Sequence, residues 1–286
     1  MRQATSIRLK PIPAKIPTNT SFNQINNQNI NTMKSIISIL AGLFIFVSAG
    51  TATAQENLPF EPPSYSNDLM MDNQTWFFLI ADRLEYALTD GVNPIIFDIQ
   101  GFVGKEYNKF WFKAEGDMLT ERQEGEMEFQ TLYSRAISTY FDVQVGARFD
   151  VAYSRAGTQT RSFAVLGVQG LAPYFWEIDA SLFVSMKGDV SAEFEAEYDL
   201  PITQRLIGQP RIGTSVAIQD VPEWGVGSGF NYVELGFRLR YEIKREFAPY
   251  IGISWNRKLG ETADFVRDEG GDPSTFGLVG GVRMWF

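Results

Sequence analysis

The chain of 286 residues carries no cysteine, no histidine, 14% aromatic residues and a formal charge of −9. These counts exclude disulfides, every imidazole-based catalytic group and the usual His and Cys zinc sites. The acid excess argues against nucleic acid, which is bound by Lys and Arg neutralising phosphates. An enzyme is therefore not expected.

Residues 1–55 contain no Asp or Glu. Met33-Lys34 opens the apolar run 35–50 (SIISILAGLFIFVSAG), and Ala-Thr-Ala follows at 52–54. A basic start, a short apolar stretch and small residues form a secretory signal over 33–54, cut after Ala54. The run is too short for a membrane-spanning helix, which needs roughly 20 apolar residues. Residues 1–32 form a polar, basic, Asn-rich extension that reads as a mis-assigned start or a long leader. Removing 1–54 takes away five basic residues and no acid. The exported chain then stands at about −14 by side-chain counting.

Residues 55–75 read as a Pro-rich tail or plug, with Pro59, Pro62 and Pro63 followed by Asp68, Met70, Met71 and Asp72. From Trp76 onward the pattern alternates. Val233, Leu235, Phe237, Leu239 and Tyr241 are apolar, while Glu234, Arg238, Arg240 and Glu242 lie between them. Val190, Ala192, Phe194, Ala196 and Tyr198 alternate in the same way with Ser191, Glu193, Glu195, Glu197 and Asp199. Period two puts one oily and one charged face on each strand. Twelve strands are expected, near 76–87, 94–103, 109–117, 126–135, 140–150, 161–170, 174–184, 190–199, 204–218, 230–243, 247–257 and 276–286. Asp82 and Pro210 fall awkwardly on faces that read as lipid-facing.

Alternation alone fits a soluble sandwich with its oily face inward, or a membrane barrel with the faces reversed. Three features favour the barrel. Connections 118–125, 151–160, 219–229 and 258–275 read as long, and those at 171–173, Pro201 and 244–246 as tight, the two-sided loop pattern of outer-membrane barrels. Aromatics gather near strand ends, as at Tyr140, Tyr174, Trp176, Tyr250, Trp255 and Trp285, which suits interfacial girdles. The last strand ends in Phe286, resembling the signal read by the outer-membrane barrel-assembly machinery. The expected fold is all-β, a transmembrane antiparallel barrel of about twelve strands with an acidic lumen, spanning 76–286 in outer-membrane lipid.

On that reading the lumen receives Asp98, Glu115 and the row Glu193, Glu195, Glu197 and Asp199. Carboxylates two residues apart on one strand face lie roughly 7 Å from each other and repel unless compensated. One reading is a structural ladder with Arg205 and Arg211 on the next strand; the other is a cation-attracting or metal-binding stripe. In the tail, the thioethers of Met70 and Met71, beside Asp72, suit soft Cu(I).

The strings LYSRAI at 132–137, DVQVGARFD at 142–150 and GVQGLAPYFWEIDASLFVS at 167–185 resemble those of copper resistance protein B, an outer-membrane barrel of Gram-negative bacteria. So do EAEYDLPITQRLIGQPR at 195–211 and the run 233–265, and the likeness extends from about Tyr65 to Phe286. The resemblance implies copper binding or movement out of the periplasm, and a periplasmic multicopper oxidase as a partner. It also implies an N-terminal stretch rich in Met and His, reduced here to Met70-Met71. Cu(I) ligands would be these two, with Met118, Met127 or Met186; Cu(II) would fall to carboxylates. The competing expectation is a small cation-preferring porin with no specific copper role.

Overall fold

The computed structural model describes residues 74–119, 123–155 and 157–286. The expected leader, the signal segment and Met70, Met71 and Asp72 lie outside the described residues. Twelve strands follow in order: β1 (Trp76–Thr89), β2 (Ile95–Gly104), β3 (Asn108–Leu119), β4 (Glu124–Ala136), β5 (Phe141–Ser154) and β6 (Gly157–Ala172). Then come β7 (Trp176–Ser185), β8 (Val190–Tyr198), β9 (Leu206–Ala217), β10 (Gly229–Tyr241), β11 (Phe247–Lys258), the helix α1 (Gly260–Asp268) and β12 (Ser274–Trp285). Each strand pairs antiparallel with its neighbour in sequence, and β12 pairs with β1, so the sheet closes on itself. Closure leaves no strand edge unpaired, which is what lets a sheet sit in lipid. No helix among the described residues is long and apolar enough to cross a membrane.

Burial settles which way the faces point. On β10, Arg238 and Arg240 are each 3% exposed, while Leu235 and Phe237 are 43% and 40% exposed. The charged face is the interior and the oily face is the outside, the reverse of a soluble barrel. All twelve expected strands are present, each within a few residues of its expected bounds.

Four expectations need correction. The connections expected to be long at 118–125 and 151–160 are mostly strand, with Leu119 paired to Glu124 and Ser154 to Gly157. Continued pairing satisfies backbone groups that a loop would leave to water, and Gly157, at φ 150°, supplies the turn. Length therefore marks the loop rim only through 218–228 and 259–273, the latter containing α1. Asp82 is not lipid-facing: the register of β1 slips between Ala81 and Arg83. Such a bulge turns two consecutive residues to one side, so Asp82 and Arg83 both point inward and both are buried. Tyr250 is not a girdle residue, since its hydroxyl donates to Glu85 inside the barrel.

The fourth correction concerns Arg205, which is not on a strand but in the turn 202–205. Asp199 breaks the β8–β9 ladder: pairing ends at Arg211 with Glu197 and resumes at Gly208 with Leu200, on the short extension Leu200–Pro201. Pro210 sits in that interruption, where its missing N–H leaves no bond unmade.

The bulge also swaps the parity of β1, bringing Phe78 to the lumenal side near the rim that carries the tight turns. There Trp285, Phe78, Phe102 and Trp111 form a row of rings, with successive centroids 6.4, 5.7 and 5.0 Å apart. On the wall made by β4, β6 and β7, Leu132, Phe163, Val165 and Phe183 pack together inside the barrel.

Candidate functional site

The remaining interior is a lattice of ion pairs, many of which cross between strands that are not neighbours. Arg238 on β10 makes a two-pronged contact with Glu85 on β1, at 2.9 and 2.8 Å. Arg148 on β5 holds Glu128 at 2.6 Å, Asp150 at 2.7 Å and, across the lumen, Glu193 on β8 at 3.2 Å. Its guanidinium also stacks over the Phe183 ring at 4.4 Å. Lys113 on β3 reaches Asp179 on β7. Arg83 lies 3.2 Å from Asp98, 3.8 Å from Glu115 and 4.0 Å from Glu234. Such pairing offsets the cost of taking charge out of water.

At the centre lies a polar cavity of about 170 Å³. Five carboxylates line it (Glu115, Asp179, Glu193, Glu195 and Glu234) against three cations, Arg83, Lys113 and Arg211. Among the described residues, Glu115 and Glu234 have only the long contacts to Arg83, already engaged by Asp98. The wall also includes Gln130, a buried residue whose Nε2 donates to Glu128 at 2.6 Å and whose Oε1 has no partner among the described residues. A surplus of negative groups around a small polar space attracts cations.

The expected acidic row is cross-linked by four arginines rather than two. Glu193 meets Arg148, Glu195 and Glu197 meet Arg211, and Asp199 meets Arg240 at 2.7 Å and Arg283 at 3.8 Å. Arg211 is thus the expected ladder partner, and Arg205 is replaced by arginines from β5, β10 and β12. Gln209 adds a hydrogen bond to Glu197 at 2.8 Å. Of the candidate lumenal ligands, Glu193, Glu195 and Glu115 reach the cavity, while Glu197, Asp199 and Asp98 are tied up in pairs beside it. Among the described residues, no three carboxylates converge where a metal ion would sit. Each is drawn instead toward an arginine or lysine.

The described methionines do not supply a lumenal sulfur site. Met118, Met127 and Met284 alternate with the inward Asp117, Glu128 and Arg283, which places them on the outer face. Met186 lies in the turn after β7 and is 85% exposed.

Sequence reasoning missed Lys113 with Asp179 as a cross-lumen tie, and Tyr250 with Glu85. The signal for the first was present in the register. Lys113 faces Gln100 on β2 and Gln130 on β4, so no neighbouring strand offers it a carboxylate at its own level.

The loop rim is partly covered. The loop 218–228 leans toward β6, where Trp224 stacks on Arg161 at 4.7 Å, and Glu223 pairs with Lys187 at 2.9 Å. α1 packs against the same loop: Gly227 N–H donates to Thr262 at 2.9 Å, and Ser228 Oγ lies 3.0 Å from Glu261. A hydrogen bond with Glu261, followed by those from Ser228, holds the Asp220 carboxyl below its usual range.

Comparison with known proteins agrees with the resemblance read from the sequence. The family model described as copper resistance protein B precursor matches residues 75–286. A copper resistance protein B homolog of Pseudomonas syringae pv. tomato is 34% identical over 249 residues, covering 84% of this chain and 83% of its own. Copper resistance protein B of Escherichia coli is 37% identical over 218 residues, covering 75% of this chain and 71% of its own. Among solved structures, the KdgM porin matches 73% of this chain and 99% of its own with a TM-score of 0.46 and 10% identity. The NanC porin matches 72% and 98%, with a TM-score of 0.48 and 14% identity. With a matching family model over the whole barrel and two relatives above 30% identity, the chain belongs to the copper resistance protein B family.

Proposed function

We propose that this barrel resides in the outer membrane of a Gram-negative bacterium, binds copper ions and assists their sequestration or export from the periplasm. It does so as a binding and transport protein without catalysis. The observation that carries the reading is the acid surplus of the central cavity in a chain of this family. A tube lined this way raises the local concentration of cations and disfavours anions. Met70 and Met71, beside Asp72, are the capture ligands for Cu(I) in the tail, because thioethers are the soft donors left without Cys or His. Glu193, Glu195 and Glu115 are the lumenal carboxylates that receive the ion once it enters the barrel. Residues 33–54 serve as the export signal, Phe286 as the contact for the barrel-assembly machinery, and a periplasmic multicopper oxidase as the partner that works on the same metal.

The test measures Cu(I) binding and cellular copper tolerance for the full chain, for Met70→Leu with Met71→Leu, and for Glu193→Gln with Glu195→Gln. Loss of binding and tolerance in the first pair, with the folded barrel retained, supports capture in the tail; loss in the second supports the lumen. Unchanged copper binding and tolerance in both would sink the copper reading. Altered ion selectivity alone in the second pair would then favour a cation-preferring porin.

A further inference from the structure

The charged groups of the lumen are not held equally. Arg211 meets Glu197 directly across the ladder, and Arg83 likewise meets Asp98. Arg148 has Asp150 two residues along its own strand and Glu128 on the next. Arginines in such settings hold several carboxylates at once through a rigid fork. Lys113 differs in three respects. Its register neighbours are the amides Gln100 and Gln130, its one ion pair among the described residues is with Asp179 four strands away, and its ammonium is a point charge on a flexible stem. Yet it is 6% exposed and lines the cavity where carboxylates outnumber cations.

We propose that Lys113 is the tethered counter-ion of this cavity and the gate of the lumen. In the closed barrel its ammonium bridges β3 to β7 and blocks the path; a mobile cation entering the cavity takes its place beside Asp179. Asp179 keeps a second donor when the lysine leaves, since Ser181 Oγ lies 3.1 Å from it. Gln130 Oε1, beside Lys113 and without a partner among the described residues, gives the entering cation a neutral oxygen. The scheme also accounts for the lack of converging carboxylates among the described residues: the tie occupies the centre that an ion would use. The inference rests on the reading that cations enter the lumen, but it does not require that they be copper.

The experiment is ion conductance of the purified full-length barrel in planar bilayers with potassium chloride alone. The wild type should show low conductance and weak cation preference. Lys113→Gln should raise conductance several-fold and shift the reversal potential toward greater cation selectivity. The exchange Lys113→Asp with Asp179→Lys should restore the low wild-type level, because it rebuilds the tie with its charges reversed. Lys113→Arg, which keeps the charge but grips with a fork, should conduct no more than wild type and guards against a Gln variant that fails to fold. Folding is checked for each by the heat-sensitive shift in gel migration. The proposal is overturned if folded Lys113→Gln conducts like wild type, if the charge exchange conducts like the single variant, or if Lys113→Arg opens the barrel. Copper binding measured on the same variants separates this failure from failure of the copper reading.

Discussion

Glu85 and Glu193 are both lumenal glutamates facing an arginine, yet they occupy opposite regimes. The Glu85 side chain is 0% exposed, gripped among the described residues by the single cation Arg238 and capped by Tyr250 at 3.1 Å. The Glu193 side chain is 36% exposed and shares Arg148 with two other carboxylates. The same pair of residue types therefore serves as a dry brace in one region and as an open acidic wall in the other. What differs is the number of carboxylates that each cation must satisfy.

The sharpest way to break the comparison is Arg238→Ala, which strands Glu85 without its counter-ion. Removing one partner of a buried pair costs about 3–5 kcal/mol. The loss should appear as a lower urea midpoint for unfolding from lipid vesicles. Tyr250→Phe deletes one donor to the same carboxylate and should cost about 1.5–3 kcal/mol, the range for hydrogen bonds to charged groups. Gly281→Ala comes next. A Cβ there would meet Glu85 Cβ and the Tyr250 hydroxyl at 2.8 Å each, and crowding of this kind costs about 1–3 kcal/mol. The temperature of the gel-migration shift would report it. At the other extreme, Lys187→Ala breaks an exposed pair with Glu223 and should cost under about 1 kcal/mol. That small loss should fade at high salt, whereas the effect of Arg238→Ala should not. If Glu193→Gln proved as destabilising as Arg238→Ala, the distinction between brace and wall would fail.

The fold was legible because period two ran unbroken through most strands, as at 190–199 and 233–243. It failed where one residue changed the parity: nothing in the string at Ala81–Arg83 announces a bulge, so Asp82 read as misplaced. It was ambiguous where both faces are apolar. Around Phe163 and Val165 the neighbours Ala164 and Leu166 are also apolar, so the packed cluster inside the barrel had no signature. The acidic row was visible as a row, but its partners were not. Arg148, Arg240 and Arg283 lie far away in sequence, and only barrel closure brings them to it. Arg205 looked right by proximity but lies in the turn 202–205, off the strand that carries Arg211.

One seam of the barrel sets a condition on how the protein is made. Eleven of its twelve strand pairings join neighbours in sequence and can form as local hairpins. The β1–β12 pairing instead joins Thr89 to Gly277 and extends to Leu79, which exchanges hydrogen bonds of 3.1 and 2.8 Å with Phe286. Until that seam zips, β1 and β12 each present a row of unpaired backbone groups that hydrocarbon cannot satisfy. Entry into the bilayer and completion of the ring therefore have to be concerted. The bulge at Asp82 and Arg83 lies beside this late seam: Arg83 already meets Asp98 within the local β1–β2 hairpin, but Asp82 meets Arg283 only as the ring shuts.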